Sequence, residues 1–437
     1  MKNEEFATAS ILNVQDSMIK VSPASQLKGC IVLPASKSIS NRALIINALS
    51  GNTILPDNLS DSDDTNVMLR ALQAVSPHKG GRGVFDIGAA GTAMRFLTAY
   101  LSVTPGEHVI TGTERMCHRP IGILVDALRQ LGAAITYEGE DGFPPLRIVG
   151  CENLEGGELT VPGDVSSQYI SALLMIAPTL QKGLRLTLTG RIASRPYLDM
   201  TISMMRDFGA KVEWHDDNVI DVQPGPYQSR AYHIESDWSA ASYWYEMVAL
   251  TQDEAPQVML PGLFSKSQQG DSAVREMFRP LGVETTFLRQ DDGTEAICLN
   301  RKGKPCKHLE LDFINQPDLA QTFIVTCAML GTTFRFNGLA SLKIKETDRT
   351  AALQAELRKL GIIIHEDGNS IVYWDGERCK AEKEPIICTY EDHRMAMALA
   401  PVCLRTGSQI QINNPEVVSK SYPAFWDDLE KVGFKLC

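Results

Sequence analysis

A short phrase recurs along this chain and limits what it can fold into. The strings ALRQLGAAI at 127–135, MMRDFGAKV at 204–212, MFRPLGV at 277–283, ELRKLGI at 356–362 and DLEKVGF at 428–434 each close an amphipathic stretch on a glycine and then open an apolar one. A glycine just past the last turn takes the left-handed backbone that ends a helix, so each string reads as helix, Gly, strand. Gly132, Gly209, Gly282, Gly361 and Gly433 lie about 70–80 residues apart, the length of one supersecondary unit in a repeat architecture. A degenerate sixth copy lies at 69–75.

A second pattern interleaves with the first. Polar clusters open six further helices: SKSISNR at 36–42, AGTAMR at 90–95, SSQ at 166–168, WSAAS at 238–242, DLAQ at 318–321 and DHR at 392–394. Each precedes an apolar helix and a strand, such as 108–111 or 184–188. Six units of helix, strand, helix and paired strands then fill the chain, three to a domain. The strand expected at 30–33 has no partner nearby in sequence. The division that pairs it makes residues 35–234 one domain and residues 1–34 plus 235–437 the other. The two chain crossings, near 34–35 and 234–237, would act as a hinge.

Composition narrows the function. With 437 residues the chain is too long for one ordinary core. A formal charge of −11 argues against a non-specific nucleic-acid binder, which is normally basic. The ten cysteines form no C-x-x-C pair and the histidines are dispersed, so the thiols read as reduced and no metal motif is visible. The opening residues lack the apolar core of a signal peptide, and the longest apolar run, at 169–178, is too short to span a bilayer. A cytoplasmic protein with no membrane or nucleic-acid partner is expected.

The polar helix starts carry the chemistry. A helix N-terminus offers unpaired N–H groups and a partial positive charge, a natural seat for an anion. Any one of them could be a routine cap, but cations accompany them. Lys37 precedes two hydroxyls, and Arg42 lies one helical turn beyond Ser38. Arg119 and Arg195 each stand before a proline that can open a helix. In the run KETDR, Lys345 and Arg349 would share one helical face beside an acid. The first cluster lacks the G-x-x-x-x-G-K-[ST] of a nucleotide-triphosphate loop.

The ordered strings SKSISNRAL, GAAGTAMRF, RPIGILVDAL, GDVSSQYISALLM, SRPYLDMT, QPDLAQTF, KIKETDR, EDHRMAMA and SKSYPAFW resemble the 5-enolpyruvylshikimate-3-phosphate synthase family, from about residue 20 to the end. The resemblance implies an inside-out α/β barrel of two domains with three repeats each. It implies transfer of the enolpyruvyl group of phosphoenolpyruvate to the 5-hydroxyl of shikimate 3-phosphate, with release of phosphate. By matching position, Lys37 would touch both substrates. Ser38, Arg42, Ser166, Ser167, Gln168, Ser194 and Tyr197 would hold shikimate 3-phosphate. Arg119, Arg349, Arg394, Lys420 and the backbone at Gly91 would hold phosphoenolpyruvate. Asp318 resembles the base for the hydroxyl, Glu346 an acid at the methylene carbon, and Lys345 would sit beside the hydroxyl and phosphate. Ala89 and Ser341 stand where the family often has Asn, so Ser341 would bond the substrate differently. The addition and elimination need one base and one proton donor. The phosphorus is not attacked, so neither metal nor cofactor is expected, and a monomer is. Two alternatives remain open: an enolpyruvyl transferase acting on a UDP-amino sugar, and a non-catalytic anion-binding module of the same fold.

Overall fold

The structure is a computed structural model that describes residues 17–75, 82–290 and 293–437. One sheet plan recurs five times. Arg82–Asp86 pairs in parallel with Gly106–Thr111 across the helix Gly91–Ser102; Leu146–Gly150 adds antiparallel, and Ala134–Tyr137 lies antiparallel outside it. The sheet of Gly157–Pro162, Leu184–Thr189, Val219–Val222 and Val212–Asp216 repeats that order. So does the sheet of His308–Asp312, Thr333–Asn337, Ile371–Trp374 and His365–Asp367. The outer strand of each follows the recurring glycine. Gly132, Gly209, Gly282, Gly361 and Gly433 all have φ between 83° and 101°, the left-handed region that a β-carbon disfavours.

The two remaining sheets each borrow a strand from the start of the chain. Lys28–Cys30 pairs in parallel with Gln257–Pro261, and Met18–Ser22 lies between Ile410–Asn413 and Lys435–Leu436. Residues 35–234 therefore interrupt a unit between its first strand and the helix Trp238–Leu250. The two crossings pair with each other: Ser36 N donates to Glu235 O at 2.8 Å and Asp237 N to Pro34 O at 2.9 Å. The expected strand at 30–33 ends at Cys30. Beyond it Pro34, which has no N–H to give a ladder, leads into the crossing. The first unit departs from its siblings. Its helices Lys37–Leu49 and Asp63–Ala74 are present, but among the described residues the only β-pairing beside them is the isolated bridges Ala35–Ser236 and Asp57–His233.

Buried apolar side chains form two clusters. One runs from Ala35 to Ile234; the other joins Val21, Leu27, Ile31 and Leu33 to residues between Trp238 and Phe434. Within them Ser167–Ile176, Trp238–Leu250 and Ala320–Leu330 are buried on every side, which is what a helix that is apolar all round requires. The apolar run at 169–178 is such a central helix. Among the described residues, no helix is long and apolar enough to cross a membrane. A helix wrapped on all sides keeps only its ends accessible, and here the polar starts are the ends that reach open space.

Candidate active site

That space is one cavity of about 530 Å³, walled by residues 37–197 from one cluster and 237–421 from the other. All six polar helix starts reach it, through Lys37 and Ser38, Gly91 and Thr92, Ser166 to Gln168, Ser239, Asp318, and His393 with Arg394. Four are capped in the ordinary way. Ile39 N donates to Ser36 Oγ at 3.5 Å, Gln168 N to Ser166 Oγ at 3.4 Å, Ala240 N to Asp237 Oδ1 at 2.9 Å and Arg394 N to Asp392 Oδ1 at 2.9 Å. The helix at Gly91 has no side-chain cap, so its first N–H groups are left for a ligand.

Eight Lys or Arg residues line the cavity against five Asp or Glu, so the site favours anions although the whole chain is acidic. Lys37 Nζ lies 3.3 Å from Asp64. Arg394 Nη2 meets Asp318 Oδ2 at 3.0 Å, while Lys345 Nζ and Arg349 Nη1 approach Asp318 Oδ1 at 3.3 and 3.4 Å. Arg349 is buried and binds two further carboxylates, Asp392 at 2.8 Å and Glu346 at 2.9 Å. Arg119 differs, because its Nε is buried without a hydrogen-bond partner. Its guanidinium lies against Gly91, beside Arg95, which is anchored by Nη1 on Gly91 O at 2.9 Å. Burial, with Arg119 adding to it, pushes the Arg95 pKa down to about 10.

The two acids share one electrostatic condition. Burial alone would raise the Asp318 carboxyl, but Arg394, Lys345 and Arg349 outweigh it and hold the group far below the usual carboxylate range. Burial likewise acts upward on Glu346, and Lys420, Arg349 and Arg119 pull it well down. Both are firmly ionised. Asp318 does not cap the helix Ala320–Leu330; it lies in the 3-10 turn Pro317–Leu319 and its carboxylate is given to cations. Nor do residues 345–348 form a helix. Arg349–Lys359 begins at Arg349, capped by Asp348, and Lys345 and Glu346 face the cavity from the bends before it.

Each sequence-derived site residue lines this cavity except Lys420, which pairs with Glu346 Oε1 at 3.2 Å instead. Ser38, Ser166, Ser167, Gln168, Ser194 and Tyr197 form the polar wall of the 35–234 half, and Ser341 faces it from the 3-10 turn Ala340–Ile344. Ser194 holds a left-handed backbone (φ 55°), uncommon outside glycine, while its N–H donates to Ile314 O across the cavity mouth at 2.8 Å. Arg42 is more committed than its position suggested. It donates from Nε to Thr201 Oγ1 at 2.7 Å, from Nη1 to Ser38 O at 2.9 Å and from Nη2 to Ser171 Oγ at 3.1 Å, so it braces the wall with two N–H groups to spare. Arg195 turns away and lies over Trp214 at 4.1 Å.

Sequence reasoning missed four groups. Asp64, the partner of Lys37, sits in an acidic first turn that reads as helix-dipole decoration. Asp392 was read as a helix opener, yet it also orients Arg349. His393 is buried with both ring nitrogens unpartnered; burial, then Lys37 and Arg394, hold it well below its usual pKa and so neutral. Asp271 stands behind the wall with Tyr197 and Ser239.

Comparisons with known proteins converge. The sequence model of the family described as EPSP synthase (3-phosphoshikimate 1-carboxyvinyltransferase) matches residues 21–429. A 3-phosphoshikimate 1-carboxyvinyltransferase of Bacteroides fragilis is 57% identical over 414 residues, covering 95% of this chain and 97% of that protein. One of Cellvibrio japonicus is 36% identical, covering 95% and 99%. The solved structure of an EPSP synthase from Acinetobacter baumannii superposes with a TM-score of 0.77 over 96% of this chain and all of that one, at 23% identity, a likeness of fold.

Proposed function

We propose, from the premise that this chain belongs to the EPSP synthase family, that its cavity transfers the enolpyruvyl group of phosphoenolpyruvate to the 5-hydroxyl of shikimate 3-phosphate. The observation that carries this reading is the pair of ionised acids, Asp318 and Glu346, each held by cations that anionic substrates would claim. The polar wall of residues 35–234 receives shikimate 3-phosphate. Arg119 and the free N–H groups at Gly91 receive phosphoenolpyruvate, together with Arg349 and Arg394. Lys37 reaches both, and Lys345 attends the hydroxyl. Lys420 reaches phosphoenolpyruvate by letting go of Glu346.

With three cations stabilising its charge, Asp318 is by itself a poor base. A substrate phosphate or carboxylate that takes over those cations removes the stabilisation; a charge pair at 4 Å is worth about 4 kcal/mol at an effective dielectric of 20. Substrate binding thus raises the proton affinity of Asp318, which accepts the 5-hydroxyl proton as the oxygen bonds to C2. The same release lets Glu346 carry a proton, which it gives to the methylene carbon. Glu346 then takes a proton back from that carbon as the C2–O bond to phosphate breaks.

The two buried clusters act as domains, 1–34 with 235–437 and 35–234, closing about the paired crossings at 34–36 and 235–237, in a cytoplasmic monomer. The test is phosphate release on mixing phosphoenolpyruvate with shikimate 3-phosphate, and separately with UDP-N-acetylglucosamine, with the product identified by NMR. Release with shikimate 3-phosphate and a new enol ether at its 5-oxygen is expected. Release only with the UDP-sugar, or with neither, refutes the reading.

A further inference from the structure

Asp271 is a buried carboxylate with hydroxyl partners from both halves of the molecule. Tyr197 Oη, on the helix Arg195–Asp207, donates to it at 3.3 Å and 3.4 Å, and Ser239 Oγ donates from the other half. Both hydroxyl-bearing residues line the cavity. The contact depends on Gly270. A β-carbon there would lie 2.4 Å from Cβ of Pro196, so glycine is what lets this turn meet the start of the Tyr197 helix.

A phenol has one hydrogen and two lone pairs. While Tyr197 spends its hydrogen on an ionised Asp271, it offers a ligand only lone pairs, which suit a hydroxyl and repel an anionic oxygen. With Asp271 protonated, the carboxyl can donate to Oη, and the phenol hydrogen turns to the cavity. The charged and titratable groups facing Asp271 are Asp318, Arg394, Asp237 and Tyr197. Burial first, and then Asp318, push its carboxyl up to about 7, against the pull of Ser239 and Arg394. An arriving trianion raises it further.

We infer that Asp271 is a positioning residue that sets, through Tyr197, whether the phenol donates to or accepts from the ligand on the shikimate-3-phosphate side of the cavity. The inference rests on the proposed substrate. It predicts that binding draws a proton onto Asp271. Wild-type affinity for shikimate 3-phosphate, measured by calorimetry, should fall as pH rises from 6.5 to 8.5, by about three- to tenfold for one linked proton. Asp271→Asn can donate from its amide at every pH, so its affinity should stay flat over this range. Tyr197→Phe, which lacks the relay, should also be flat, and it serves if the Asn variant does not fold. Titration of the ligand phosphate is common to all three proteins and cancels in the comparison. If either folded variant keeps the wild-type slope while the wild type binds and turns over, Asp271 is only a packing group and this inference falls alone. If the wild type does not bind shikimate 3-phosphate at any pH, the substrate assignment falls and takes the inference with it.

Discussion

Gly91→Ala should damage one substrate and spare the other. The backbone at Gly91 has an ordinary helical φ, and alanine is the better helix former, so the fold has no reason to suffer. The new methyl would instead lie 2.7 Å from Arg119 Nη1 and 2.8 Å from Arg95 Nη1, several tenths of an ångström inside contact distance. Arg95 is anchored on Gly91 O and Pro120 O. Arg119, with its unpartnered Nε, is the side chain free to move. Misplacing it loses one charged hydrogen bond to phosphoenolpyruvate, about 1.5–3 kcal/mol, or roughly 10- to 100-fold in affinity. Steady-state kinetics with each substrate varied in turn should show the KM for phosphoenolpyruvate rising by that factor. The KM for shikimate 3-phosphate should change less than about threefold, with the melting temperature held. Equal rises in both KM values, or none in either, would refute the argument that Gly91 exists to seat Arg119.

Lys37→Met should lower turnover by more than about 100-fold, since it removes charged contacts worth about 1.5–3 kcal/mol each to two ligands; near-normal turnover with unchanged circular dichroism would rule the assignment out. The two halves should close further on ligand, because cavity cations outnumber acids and bridging anions relieve that excess. Small-angle scattering should then give a smaller radius of gyration with shikimate 3-phosphate plus an unreactive phosphoenolpyruvate mimic, and no contraction would count against a hinge at the crossings.

The repeat and the polar helix starts were legible because each rests on a local rule. A glycine stop and a capped N-terminus are written within a few residues. The 345–349 run misled for the same reason. Its spacing suits a helical face, but three carboxylates around Arg349 and the cap at Asp348 delay the helix by a turn. Among the described residues the first unit lacks the recurring sheet, and nothing at 69–75 carries the glycine that precedes the outer strand elsewhere. The partners Asp64, Asp271 and Asp392 were invisible as partners. Each meets its cation or hydroxyl at a sequence separation of 27 to 74 residues, and no local pattern encodes such a pairing. A still greater separation hid the state of Arg42, whose wall-bracing bonds go to Ser171 and Thr201.

Asp318→Asn tests most directly whether anions work this site by freeing its carboxylates. The measurement is equilibrium binding of both substrates together with single-turnover phosphate release, on wild type and variant. Asparagine no longer competes for Arg394, Lys345 and Arg349, so binding should be held or improved. Chemistry should fall by about 10²- to 10⁴-fold, the usual worth of a positioned base. Turnover that survives, or binding that is lost in step with it, would contradict the mechanism.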